Sequence, residues 1–211
     1  MNKVLTKAAE ILSVELYPLF IPTYGIALFC YAYSVAHPLP TVWTTVAVAG
    51  TFLLTCLIPL TAIMILMRRG EVTNFHIDNA RERTVPYLYS AFGFACWAYL
   101  MIAILHAPVY IGFIAVGATV AIGLVALINR WWKISAHLTG MGGLVGGLLC
   151  YCLGVGAMPS AWMLCLCLGL SLLLMYARLY LNAHTPAQVC AGWLLGLVCT
   201  FIPYCIYSYA A

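Results

Sequence analysis

The chain has 211 residues, of which 65% are apolar and only 7% charged, and nine Lys and Arg against five Asp and Glu give a net charge of +4. A soluble domain carries roughly 45 to 50% apolar residues, so this composition, with a mean hydropathy of +1.05, excludes a soluble globular protein and specifies an integral membrane protein. The partners expected are membrane lipids, with no nucleic acid among them.

A helix needs about 20 residues to cross a hydrocarbon core of about 30 Å. Seven stretches reach that length, near residues 17 to 36, 43 to 67, 87 to 106, 108 to 129, 138 to 157, 160 to 181 and 187 to 209. Their continuity excludes barrel strands, which alternate in segments of about ten residues, and backbone groups in lipid must be satisfied within their own segment. The expected fold is an all-α polytopic transmembrane helical bundle of six or seven spans, one membrane domain over residues 1 to 211. Lys3, Lys7, Glu10 and Glu15 precede the first span, and no apolar core follows closely enough for a cleaved signal peptide. Pro18 and Pro22 stand near the start of that span, so the alternative is an interfacial helix ending at Pro18.

Between spans two and three runs the long polar segment, residues 68 to 86, a length that is often functional in a compact bundle. Span five is rich in glycine, and Gly142/Gly146 and Gly143/Gly147 have the small-x-x-x-small spacing of close helix packing. Trp131 and Trp132, beside Arg130 and Lys133, read as interfacial anchors. All ten cysteines fall inside apolar stretches with no Cys-x-x-Cys pair. Cys150/Cys152 and Cys165/Cys167 are two apart and point to different helix faces, so the cysteines read as packing residues rather than metal ligands.

The cations are one-sided. Lys3 and Lys7 precede span one, Arg68, Arg69, Arg81 and Arg83 lie between spans two and three, Arg130 and Lys133 between four and five, and Arg178 ends span six. With seven crossings all of them share one face. The connectors of the other face, around His37, His106 and Met158-Pro159-Ser160, hold no formal charge. The positive-inside rule assigns the basic face to the cytoplasm.

Three clusters meet on that face: Arg81 and Arg83 with His76, Asp78 and Glu82; segment 130 to 137 with Lys133-Ile134-Ser135-Ala136-His137; and segment 178 to 188 with Arg178, His184 and Gln188. Guanidinium forks bind phosphate oxygens bidentately, and imidazole serves as nucleophile or acid near neutral pH. Two histidines, a hydroxyl and several arginines at a membrane surface therefore suit a tetrahedral phosphate. Thr185-Pro186-Ala187-Gln188 has the form of a capping box opening the last span. That box places His184 just before a helix N-terminus, where free N–H groups favour an anion.

At these residues the sequence resembles the type 2 phosphatidic acid phosphatase superfamily of integral membrane lipid phosphatases, over roughly residues 68 to 200. The family's third motif, an Arg with a His six residues on, matches at Arg178 and His184, with Gly192 and Gly196 in the helix that follows. Its second, Pro-Ser-Gly-His, matches at Ser135 and His137, with Ile134 and Ala136 in place of Pro and Gly. Its first, a Lys followed seven positions later by Arg-Pro, is represented in residue type by Arg81, Arg83 and Pro86 but not in spacing. The resemblance implies a cofactor-free, metal-independent lipid phosphate or diphosphate phosphatase of a bacterial inner membrane. His184 would attack phosphorus, His137 would protonate the leaving alkoxide, and Arg178, Ser135, Arg81 and Arg83 would hold the phosphate oxygens.

Gln188 stands where the family has Asp. Its amide oxygen can still orient the ring of His184, but the negative charge is lost, and in a serine-protease triad the equivalent loss costs roughly 10⁴ in rate. The sequence thus supports either a phosphatase or a catalytically weak lipid-phosphate binder. A transporter fits less well, because almost no ionisable residue lies at mid-span.

Overall fold

A computed structural model describes residues 2–35, 37–73, 77, 80–156 and 161–210, without the side chains of residues 80, 81 and 161. His76, Asp78, the side chain of Arg81 and the connector at Met158-Pro159-Ser160 lie outside the described residues. The secondary structure of the described residues is all helical, with turns between the helices, and among the described residues six helices are long and apolar enough to cross a membrane.

The chain begins with α1 (Lys3–Glu15), opened by Asn2, whose side chain accepts the Val4 N–H at 3.0 Å. Ala9, Ser13 and Leu16 are buried against the bundle, while Val4, Leu5, Ile11 and Val14 are exposed beside Lys3, Lys7 and Glu10. An apolar outer stripe flanked by lysines is the pattern of a helix lying in the membrane interface. The sequence reading left that alternative open.

The first predicted span, 17 to 36, is shorter than expected: α2 covers only Ile21–Ser34, with Pro22 in its first turn. Pro18 and Pro22 cannot donate to preceding carbonyls, so the chain turns through residues 17 to 20 before helix can start. The fourteen residues rise about 21 Å, below the length of a full span. Even so, α2 runs beside α7 (Ala136–Val155), with Ile21 against Gly140, Gly25 against Leu144 and Phe29 against Gly147.

The second span joins α3 (Thr41–Phe52) to α4 (Ile58–Arg68) through a π-helical turn at Leu53–Leu57. Pro59 lacks the N–H that would return to the Thr55 carbonyl, which accounts for a widened turn just before it. Thr55 Oγ1 spans the region, donating to Thr51 O at 2.9 Å and reaching Leu19 O at 3.4 Å. Trp97 Nε1 donates to Thr51 Oγ1 at 2.8 Å, so its one polar atom is satisfied in a buried setting. Trp97 belongs to α5 (Thr84–Tyr99), which a second π turn at Leu100–Ile104 extends, and α6 (Val109–Ile128) follows.

Lipid tails are as apolar as leucine, so helices in a bilayer associate through close packing and hydrogen bonds rather than through burial from water. The tightest contact obeys that rule. In α7 and α9 (Pro186–Ala210) the glycine-x-x-x-glycine pairs face each other, Gly142 against the Trp193 carbonyl and Gly196 against the Thr139 carbonyl. The predicted packing role of the span-five glycines is realised here with α9 as the partner. Between them α8 (Ala161–Tyr180) packs on α1, where Asn2 N donates to Tyr180 Oη at 3.1 Å. All ten cysteines are free thiols, with Cys30, Cys56, Cys150 and Cys167 buried.

Candidate active site

Local turn chemistry delivers the polar side chains to one end of the bundle. Ser135 is extended and caps α7, its Oγ accepting the Leu138 N–H at 3.5 Å, which puts His137 in the first helical turn. Arg178 lies in the last turn of α8. The chain then reverses through Asn182, at φ +52°, a residue type that tolerates the left-handed region. His184 follows, and Thr185 opens α9 with a reciprocal capping box: Gln188 N donates to Thr185 Oγ1 at 3.4 Å and Thr185 N to Gln188 Oε1 at 3.1 Å.

Arg83 ends a short 3-10 turn, Ala80–Arg83, and is 6% exposed. Its Nε donates at 2.6 Å to the carbonyl of Ile77, a β-branched residue held at φ +46°. Such a conformation is a strained outlier for its type, and it accompanies the carbonyl that fixes the guanidinium. Tyr87, one helical turn on, shares a hydrogen bond with the Arg83 side chain.

These pieces enclose a chamber of about 60 Å³ walled by Arg83, Arg178, His137, His184, Tyr17 and Tyr87, with Pro86, Ser90 and Ala136 beside them. A water needs about 10 to 15 Å³ of such space. The chamber therefore has room for more than one water-sized group.

The histidine tautomers follow from their partners. His184 Nδ1 lies 3.2 Å from both the Lys133 carbonyl and Gln188 Oε1. Because Thr185 N–H can only donate, the Gln188 atom it meets is the amide oxygen, so both neighbours of Nδ1 are acceptors. Nδ1 carries the proton and Nε2 keeps a lone pair. Burial, then the charges of Arg178 and Arg83, push the pKa of His184 down to about 4 against the pull of the Gln188 hydrogen bond. The ring is neutral at pH 7. His137 is held the other way round: its Nε2 lies 3.1 Å from the Ser13 carbonyl, which only accepts, so Nε2 carries a proton and Nδ1 is the remaining nitrogen. Tyr17 meets the ring edge-on at 5.5 Å. Burial raises the Tyr17 phenol to about 12, with nearby Tyr87 adding to the shift, so it stays neutral.

Of the residues singled out from sequence, His137, His184, Arg178 and Arg83 come together on the chamber, and Gln188 stands behind His184. Ser135 is fully buried and does not wall the chamber; its hydroxyl caps α7 and its N–H donates to Gln188 O at 3.3 Å. The backbone of Arg81 belongs to the 3-10 turn. Tyr17, Tyr87, Ser90 and the Ser13 carbonyl join them without belonging to any of the sequence motifs. The spacing Arg83, Tyr87, Ser90 is i, i+4, i+7, one helix face, and was a signal for two of them.

No protein-family profile matches the sequence, and no curated protein or solved structure matches it.

Proposed function

We propose that this integral membrane protein is a lipid phosphate or diphosphate phosphatase that works through a phosphohistidine, in the manner of the type 2 phosphatidic acid phosphatases its motifs resemble. The observation that supports this reading best is the neutral His184, oriented through Nδ1–H and sharing one chamber with two arginines. Nε2 of His184 attacks phosphorus as the P–O bond to the lipid breaks, and Arg83 and Arg178 take the charge that collects on the equatorial oxygens. A phosphate monoanion brings its own proton. Nδ1 of His137 accepts that proton and delivers it to the leaving alkoxide, while the N–H bond to Ser13 holds the ring. Water then attacks the phosphohistidine, releasing inorganic phosphate and restoring Nε2. The reaction as drawn uses protein groups alone. Ser135 acts in it through the placement of His137 rather than by touching phosphate.

The test is phosphate release from a lipid phosphate in mixed micelles with EDTA present, comparing the wild type with His184→Ala and His137→Ala. Each variant is expected to lose at least a hundredfold, and equal rates in all three would sink the proposal. A second reading, a lipid-phosphate binder with little turnover, is favoured by the neutral amide of Gln188 where a carboxylate would stabilise an imidazolium. It requires binding of the same lipids with no release.

The chamber lies where the described cations gather, at the ends of α4, α6 and α8 and beside α1, so its face is assigned to the cytoplasm.

A further inference from the structure

We infer that the phosphate chamber is the head end of a continuous apolar channel that runs along α2 and takes the one hydrocarbon chain of a single-chain lipid phosphate. This rests on the reading of the chamber as a phosphate site.

A second cavity, of about 80 Å³, shares Pro18, Ile122 and Ala136 with the chamber and continues between α2, α5, α6 and α7. Its polar wall groups are already used. Thr139 Oγ1 donates to Ser135 O at 2.9 Å, Thr200 Oγ1 to Gly196 O at 2.9 Å, and Trp97 Nε1 to Thr51 Oγ1 at 2.8 Å. A polar occupant would lose its water without gaining partners, so the occupant of this part is hydrocarbon. Arginines at one end and a wall without free donors beyond it match an anionic head on an apolar tail.

The channel does not stop at mid-bundle. A third cavity, of about 240 Å³, shares Ile26 and Phe29 with the second and ends among Tyr33, Trp43, Pro108 and Tyr110 at the opposite face. Along α2 the path is about 21 Å, the extent of roughly 16 extended carbons given C–C bonds near 1.5 Å. The middle section is narrow. Its volume of about 80 Å³ spread over the ~12 Å between Ile21 and Phe29 is too small for two chains side by side. A diacyl lipid would have to leave its second chain outside the bundle.

Because a lipid chain leaves one apolar medium for another, selectivity here comes from fit rather than from transfer out of water. The experiment measures affinities of the full-length protein in detergent for inorganic phosphate, hexadecyl phosphate and dipalmitoyl phosphatidate, for the wild type and Ala118→Phe. Ala118 lines the middle cavity and not the chamber, one helical turn beyond the shared Ile122. Hexadecyl phosphate is expected to bind at least tenfold tighter than the phosphatidate. Ala118→Phe is expected to remove that advantage while leaving inorganic phosphate unchanged. As a readout independent of that substitution, hexadecyl phosphate brominated at mid-chain is expected to quench the fluorescence of wild-type protein by a larger fraction than that of Trp97→Phe. Equal affinities for the two lipids, or quenching identical in both proteins, would overturn the channel while leaving the head site standing. Absence of inorganic phosphate binding would overturn the head site and the channel with it.

Discussion

Gln188→Glu restores the missing charge without moving an atom of the skeleton. Glutamate has the same length as glutamine, keeps the acceptor that Thr185 N–H uses at 3.1 Å, and leaves an oxygen 3.2 Å from His184 Nδ1. An aspartate at this position would be one methylene short of both contacts. With charge centres about 4 Å apart, a carboxylate and an imidazolium attract by about 4 kcal/mol at an effective dielectric near 20, or about 3 pKa units at 1.36 kcal/mol each. Arg83, Arg178 and Lys133 already act on the ring and keep the new carboxylate ionised, while any reorientation toward them would take it further from the ring. The His184 pKa is expected to rise from about 4 by about 2 to 3 units.

Two-bond proton–nitrogen correlation spectra of histidine-labelled protein report both tautomer and pKa, and His184→Gln identifies the resonance. The wild type is expected to show a protonated Nδ1 and a bare Nε2 down to about pH 4. In the glutamate variant the ring titrates near neutrality, and turnover rises at least tenfold because the developing imidazolium is stabilised. A shift of less than one unit, or a wild-type proton on Nε2, would refute the reasoning. The shift without any gain in turnover would favour the binder.

Three further outcomes follow from the same geometry. The folded-state pKa of His184 lies near 4 while an unfolded histidine titrates near 6.5, so the unfolded chain binds more protons between those values; the His184 contribution to stability is full above pH 6.5 and falls by about 3 kcal/mol by pH 4, and denaturation of His184→Gln against pH is expected to be shallower than that of the wild type by this amount. Gly142→Ala drives a methyl into the Trp193 carbonyl of α9 and is expected to destabilise by about 1 to 3 kcal/mol, whereas Gly169→Ala, with nothing within 4 Å, is neutral; equal unfolding midpoints would contradict the packing assigned to α7 and α9. A cysteine replacing the exposed Trp131, in a chain whose exposed Cys165 and Cys190 are serine, is expected to resist an impermeant thiol reagent in intact cells, and labelling there would reverse the orientation.

What could be read from sequence was what lies within a helical turn or two. The Thr185 to Gln188 box, the Arg178 to His184 interval and the glycine spacing of α7 are local patterns, and each appears in the structure as a cap, a turn or a close crossing. Ser135 and α2 show where local reading misled. A serine ahead of a helix caps it before it can serve a ligand, and two prolines removed the first turns of the first span. The Ser13 carbonyl was illegible for a different reason. Its partner His137 is 124 residues away, and a backbone acceptor leaves no trace in the identity of the residue that carries it. The chamber's apolar extension was equally hidden, since an alanine or glycine facing a cavity looks like one facing a neighbour.

Both histidines give a proton to a backbone carbonyl, His184 to Lys133 and His137 to Ser13, so each turns a single nitrogen to the chamber's chemistry. Two guanidiniums share that space. Were the neutrality of His184 due to Arg178 and Arg83 alone, a bound phosphate monoanion would offset much of their charge and favour protonation of the ring at the moment it must attack. Burial is the larger cause, with the arginines second. On the proposed reading, phosphate binding would displace water from the chamber, strengthening the first cause as it weakens the second. That would favour retention of the lone pair on Nε2 and leave the arginines to act on the phosphoryl oxygens as charge develops there.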